Sequence, residues 1–119
     1  MAAGKLNLTI EKGATFTRVL TWSTRDETTG ITTPVDLTGY TARSQFREEI
    51  DSSTAFISLT STSGIALGGA TGVITLTISA ATTAALIPES GVWDLELVSG
   101  DIVTRLVEGK VRLIPEVTR

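Results

Sequence analysis

The sequence predicts a single all-β domain, an antiparallel β-sandwich of Greek-key type with one short helix. Apolar and polar residues alternate with period two in short runs rich in valine, isoleucine and threonine, and clusters of glycine, serine and aspartate separate the runs. The chain has 119 residues, which suffices for one core but not for two ordinary domains, so we expect one domain over residues 1–119.

Five strands are predicted before the helix. They cover residues 5–10, 14–23, 39–47, 54–60 and 72–79, and each places its apolar residues on one face. Arg18 is the exception, because it falls on the apolar face of the second strand. A threonine-rich loop is predicted over residues 24–34, and a glycine-rich connection that needs permissive backbone angles over residues 64–72.

The helix is predicted in the stretch SAATTAALIPESG, where the period of two is lost. Ser79 is a good N-cap, alanine is frequent in residues 80–86, and Pro88 and Gly91 end the pattern. One or two helical turns between two strands are typical of a chain that crosses from one sheet to the other in a Greek-key fold.

The last two strands are predicted to form a hairpin across the turn SGDI. Gly100 occupies the first central position, which a type II′ turn reserves for glycine, and the resulting register pairs Glu96 with Arg105. Leu106 and Val111 are an odd number of residues apart, so we expect a β-bulge, with Gly109 as its site. The predicted core residues of the hairpin are Trp93, Leu95, Leu97, Leu106, Val111 and Leu113. The residues predicted on its solvent-exposed face are Asp94, Glu96, Arg105, Lys110 and Arg112.

Composition excludes most common enzyme chemistry. The chain has no cysteine and no histidine, which excludes disulfides, thiolate or imidazole metal sites and histidine-activated nucleophiles. We expect no enzyme activity, no cofactor, and no catalytic or metal-binding residue. Ten basic residues, scattered singly against thirteen acidic ones, argue against nucleic acid as a partner. No apolar run is long enough to span a membrane, and the N-terminus does not resemble a secretory signal.

Several residues nevertheless suggest alternatives to a purely structural role. Asp94 and Glu96 share one strand face at a spacing that could suit a glycoside-hydrolysing carboxylate pair, although Arg105 opposite Glu96 favours a solvated charged ladder. Two further candidates are an acidic cluster that could bind a hard cation and a group of aromatic rings that could stack on a sugar. A structural role is favoured for both. These are Glu48, Glu49 and Asp51 for the cation, and Trp22, Tyr40 and Trp93 for the sugar.

Four stretches of the sequence carry a family resemblance. They are TRVLTW (17–22), PVDLTGYTARSQFRE (34–48), ISAATTAAL (78–86) and GVWDLELVSGDIVTRLVEGKVRLIPEVTR (91–119). Together they resemble a family of small proteins of tailed bacteriophages and prophages, similar to the immunoglobulin-like N-terminal module of phage baseplate upper proteins. The resemblance implies an immunoglobulin-like sandwich and a non-enzymatic virion component associated with the tail or baseplate.

The resemblance also implies partners and a location. The partners would be other virion proteins, and each particle would contain many copies of this protein. The protein would be made in the host bacterial cytoplasm. A capsid decoration protein and a carbohydrate-binding module are the alternatives. The N-terminal strand KLNLTI has little protection against edge pairing, so we expect it, or the loops over 24–34 and 64–72, to contact another subunit.

Overall fold

The computed structural model describes residues 4–117 and is mostly β, which confirms the predicted class. The elements are β1 (Gly4–Lys5), β2 (Leu8–Glu11), β3 (Phe16–Thr21), β4 (Ser23–Arg25), β5 (Thr32–Pro34), β6 (Thr41–Arg47), β7 (Ile57–Thr60), β8 (Ile65–Leu67), a 3-10 turn (Gly69–Thr71), β9 (Val73–Ile78), α1 (Ala80–Ala84), β10 (Ser90–Ser99) and β11 (Ile102–Ile114). None of the helices in residues 4–117 has the length and apolarity to cross a membrane.

The larger sheet has the order β1–β11–β10–β6–β7, and β2 also pairs with β11. The pairs among β11, β10, β6 and β7 are antiparallel, as predicted. The N-terminal strand differs from the prediction in two ways. It is split into β1 and β2 at Leu6 and Asn7, and both parts run parallel to β11.

The smaller sheet has the order β3–β9–β8, and β4 and β5 form a separate two-stranded hairpin. Two predicted connections are therefore wrong. The threonine-rich stretch 24–34 contains most of the β4–β5 hairpin, and the glycine-rich stretch 64–72 contains β8 and the 3-10 turn. Threonine has a high β propensity, and Gly64, Gly69 and Gly72 supply the positive φ angles that bend the chain around the short β8.

One hydrophobic core joins the two sheets. The larger sheet contributes residues such as Phe46, Leu95 and Leu97, and the smaller sheet contributes Ile74 and Leu76, all completely buried. The ring of Trp93 stacks on that of Phe46 at a centroid distance of 5.6 Å. Five of the six core residues predicted for the final hairpin are buried; the sixth, Leu106, is partly buried and packs against the core.

The β10–β11 hairpin has the predicted turn but a different bulge. Gly100 has a φ of 59°, Asp101 has a negative φ, and Glu96 pairs with Arg105 as expected. The register shifts between Leu95 and Glu96, so the extra residue is Leu106 and not Gly109. Both Leu106 and Val107 pack on the core, which explains why the bulge lies there.

Gly109 has a different role from the predicted bulge. It lies directly opposite Trp93, and a β-carbon at Gly109 would overlap the carbonyl oxygen of Leu6. That oxygen accepts a 2.8 Å hydrogen bond from Trp93 Nε1, and Asn7 Oδ1 accepts one of 3.0 Å from Lys110 N. Gly109 thus allows the break between β1 and β2 to approach β11 closely.

The helix confirms the sequence prediction. α1 begins directly after Ser79, whose hydroxyl oxygen accepts a 3.2 Å hydrogen bond from Thr82 N. It lies between β9 of the smaller sheet and β10 of the larger one, as expected for a crossing segment. Thr83 is completely buried; its hydroxyl accepts from Gly13 N at 3.0 Å and lies 2.8 Å from Ala14 O, to which it donates. This hydroxyl joins the helix to the β2–β3 turn.

Candidate functional site

The outer face of the larger sheet carries a cluster of charged residues, here called the charged face. Its members lie on β1, β6, β10 and β11, where strand alternation directs them away from the core. They are Lys5, Arg43, Asp94, Glu96, Arg105 and Glu108. Three carboxylates therefore face three cations, so the cluster has no formal net charge.

Every carboxylate of the charged face has a cationic partner. Glu96 accepts a 2.7 Å hydrogen bond from Arg43 Nε, and Glu108 accepts one of 2.6 Å from Lys5 Nζ. The Arg105 guanidinium lies between the acids, with nitrogen atoms 3.5 Å from Asp94, 3.8 Å from Glu96 and 3.7 Å from Glu108. This arrangement is a ladder of cross-strand ion pairs, as the sequence favoured.

The position of the bulge determines which acids meet. Because Leu106 is the extra residue, Asp94 lies opposite Glu108, and the like charges are bridged by Arg105. Glu108, Lys5 and Arg43 were not predicted from the sequence as members of this cluster. Only the correct bulge would have placed Glu108 on the outer face, and only the parallel pairing of β1 with β11 brings Lys5 beside it.

Two carboxylates of the charged face have shifted pKa values, in opposite directions. Partial burial, followed by repulsion from Glu96, raises the pKa of Asp94, and the nearby Arg105 only partly opposes this effect. The hydrogen bond and charge of Lys5 lower the pKa of the partly exposed Glu108. The sheet face thus disfavours the ionised form of Asp94 and favours that of Glu108.

An open depression of about 690 Å³ lies beside Asp94. Its lining includes Asp94, Arg105 and Glu108, together with Arg47 and the exposed Ile50, but not Glu96. The two carboxylates proposed from the sequence as a catalytic pair are therefore not brought together in this depression. Glu96 is instead held by Arg43.

The other sequence candidates do not form a site. The acidic residues Glu48, Glu49 and Asp51 are exposed, and within residues 4–117 no group of three or more metal-binding side chains is placed to hold an ion. Trp93 is buried in the core, as favoured. Trp22 and Tyr40 are partly buried, and their rings pack edge to face at a centroid distance of 5.7 Å.

The β4–β5 hairpin, residues 23–34 and here called the arm, is the most exposed feature of the fold. Each of its twelve residues is exposed, and Ile31, near its tip, keeps 61% of its surface accessible. The molecule measures 52 × 29 × 26 Å, and its radius of gyration of 15.3 Å exceeds the ~13.5 Å typical of a compact chain of this length. An exposed arm fits this elongated shape.

Local hydrogen bonds define the conformation of the arm. Asp26 Oδ1 accepts from Thr28 N at 2.8 Å and from Thr29 N at 3.3 Å, and Asp26 N donates to Ile31 O at 2.9 Å. At its base, Val35 N donates to Trp22 O, which continues the ladder of the arm into the body of the protein. The arm is therefore an ordered hairpin whose side chains contact little of the rest of the chain.

No known family model matches this chain, and no curated protein matches its sequence significantly.

Proposed function

We propose that this protein is a non-enzymatic structural component of a tailed bacteriophage particle, associated with the tail or baseplate, that docks on other virion subunits in many copies. Its fold we take to be an immunoglobulin-like Greek-key sandwich. The strand order supports this fold, because the chain leaves the larger sheet after β2, returns at β6, leaves again after β7 and returns at β10.

The exposure of the whole arm is the observation that best supports the proposed docking function. A two-stranded hairpin is at best marginally stable alone in water, and this one exposes all of its residues, including Ile31. Such an element contributes little to the core and offers both backbone edges and side chains to a neighbour. Interface contacts would stabilise it and cover the Ile31 side chain.

Replacement of the arm tests this function. Residues 23–34 are replaced by Asn-Gly, a two-residue turn that closes the chain at the pair of Trp22 and Val35, where Val35 N already donates to Trp22 O. We expect the purified variant to fold but to be missing from assembled particles. The control variant, Glu48→Gln with Glu49→Gln in the exposed β6–β7 loop, should be incorporated normally. Normal incorporation of the variant without the arm would contradict the proposal.

A capsid decoration protein is the main alternative, since the same arm would serve at either location. Antibody labelling of purified particles places the protein on the tail or on the head. A carbohydrate-binding module receives less support, because Trp93 is buried and Trp22 and Tyr40 pack on each other. Binding on a glycan array that is lost in Trp22→Ala would favour that alternative.

One observation favours a hydrolase as a second candidate. The raised pKa of Asp94 beside an open depression is the environment of a general acid. If the protein is structural, the parent chain hydrolyses no glycoside or ester. The double variant Asp94→Asn, Glu96→Gln should then fold and likewise show no hydrolysis. Hydrolysis that disappears in this variant, but persists in Glu49→Gln, would favour the enzyme.

A further inference from the structure

The edge strand β3 presents an open row of backbone groups. The hydrogen bond from Trp22 N to Gly72 O, at 2.8 Å, fixes which residues near β3 face β9. Because paired and unpaired positions alternate in an antiparallel ladder, the residues at odd positions direct their N–H and C=O groups away from β9. These are Thr17, Val19 and Thr21, which are all exposed. In the part of the chain that the structure describes, no strand lies on this side of β3.

Arg18 explains how this edge is protected against unselective pairing. It lies on the same face of β3 as Phe16 and Leu20, which pack on the core, yet Arg18 itself is exposed. No carboxylate within residues 4–117 forms an ion pair with it. A charge on the inward face of an edge strand opposes the addition of an apolar strand, which would bury the guanidinium without a partner.

The other face of the smaller sheet has no charged side chain. Thr17, Val19 and Thr21 on β3 are paired with residues of β9 that are also threonine or valine. Along this edge, the outer face therefore carries only uncharged side chains, and the inner face carries one charge, that of Arg18. A strand that pairs here would meet uncharged residues outside, and Phe16, Arg18 and Leu20 inside.

We propose that the outer edge of β3 binds an extended acidic segment of another protein by strand addition. The segment runs antiparallel to β3, and its carboxylate faces Arg18, with apolar residues two positions before and after it. Arg18 would then belong to a pair without backbone hydrogen bonds, in which opposed side chains are closest. The apolar residues would cover the partly exposed edges of Phe16 and Leu20.

Charge selects this occupant over the β3 strand of a second copy. The strand FTRVLT contains no acidic residue, so β3 paired with β3 leaves both guanidinium groups without a carboxylate. The edge of β3 is a second surface, distinct from the arm, and the binding of an acidic segment to it does not depend on where the protein acts.

Synthetic peptides test the inference on the intact protein without any particle. The probe is a capped seven-residue peptide with isoleucine, glutamate and isoleucine at its second, fourth and sixth positions and threonine elsewhere. The matched peptide has lysine in place of glutamate. In an amide NMR titration at low salt, we expect the largest shifts at Thr17, Val19 and Thr21, and binding of the glutamate peptide about fivefold tighter or more.

Two protein variants make the result decisive. Val19→Pro removes an N–H that points away from β9 and should abolish binding of both peptides. Arg18→Glu, at an exposed position, should reverse the order so that the lysine peptide binds more tightly. The inference is overturned if neither peptide binds the parent protein at 1 mM, if the shifts lie outside β3, or if Arg18→Glu leaves the order unchanged. If Val19→Pro fails to fold, the order in which Arg18→Glu binds the two peptides still decides the question.

Discussion

At the scale of single residues, Gly109 fixes the approach of the N-terminal strand to β11. Its α-carbon leaves space for the Leu6 carbonyl, which Trp93 Nε1 then binds. We predict that Gly109→Ala lowers the free energy of unfolding by about 1–3 kcal/mol, because the added methyl group would push Leu6 away and strain the core around Trp93. Urea denaturation at equilibrium measures this change.

A second glycine in contact with β11 provides the control. A β-carbon at Gly4 would meet Leu106 O at 3.6 Å, an ordinary van der Waals distance, and Gly4 has no positive φ. Gly4→Ala should therefore change the free energy of unfolding by less than about 0.5 kcal/mol. If both variants lose the same stability, close packing at Gly109 is not the cause.

The opposite pKa shifts of Asp94 and Glu108 predict opposite pH dependences. The pKa of Asp94 is raised on folding, so its contribution to stability is greatest at low pH and falls as pH rises from the ordinary aspartate range through its folded value. Asp94→Asn should therefore gain stability relative to the parent protein as pH rises through this window. Chemical denaturation at a series of pH values from acid to neutral measures the difference.

Glu108 gives the matched comparison for Asp94. Its pKa is lowered on folding, so its contribution is present above the ordinary glutamate range and is lost as pH falls through the folded value. Glu108→Gln should lose stability relative to the parent as pH rises through that window. If the stability difference from the parent changed with pH in the same way for both variants, the charged face as a whole, and not each carboxylate's own environment, would set the pH dependence.

At the scale of elements, the hydroxyl of Thr83 connects α1 to the β2–β3 turn. We predict that Thr83→Val, which keeps the shape of the side chain, costs about 1–3 kcal/mol of stability, because Gly13 N and Ala14 O lose a buried partner. Thr83→Ser, which retains the hydroxyl, should lose distinctly less in the same thermal or urea denaturation. A serine variant as unstable as the valine variant would assign the effect to the lost methyl group.

The elements also show what the sequence alone could predict. Alternation identified β6, β9 and the final hairpin, and the N-cap at Ser79 located α1, because these signals are local. The position of the bulge depends on how Leu106 and Val107 share the core, and the role of Gly109 depends on Leu6, more than 100 residues away in the chain. Such long-range contacts leave no local pattern.

The same limit applies to the candidate site. The pairing of Glu96 with Arg105 was predictable from the hairpin register, whereas Arg43 and Lys5 joined the charged face through the pairings of β6 and β1. Arg18 contradicted the alternation of its strand and had no explanation in the sequence. It is understandable once β3 is known to be an edge strand, where an inward-phase side chain can reach solvent.

At the scale of the whole molecule, the two outer faces differ in chemistry. The outer face of the larger sheet carries the six residues of the charged face, whose formal charges cancel, together with other charged residues such as Lys110 and Arg112, whereas the outer face of β3 and β9 carries only threonine and valine. The exposed ion pairs of the first contribute little to stability, since solvent screens them. Because interface cores are depleted of charge, the smaller sheet and its open edge are the better-suited contact surface.

The fold also predicts how stability is distributed through the free protein. β10 lies between β11 and β6 and contains the completely buried Leu95 and Leu97, whereas the arm pairs only with itself and is exposed throughout. We predict that in native-state hydrogen exchange the paired amides of β10 open only with global unfolding, while those of the arm exchange at least about 100-fold faster. NMR exchange measurements on the isolated protein resolve both groups. Arm amides as slow as those of β10 would mean that the arm is integrated into the core, and the reason for assigning it to a partner would be lost.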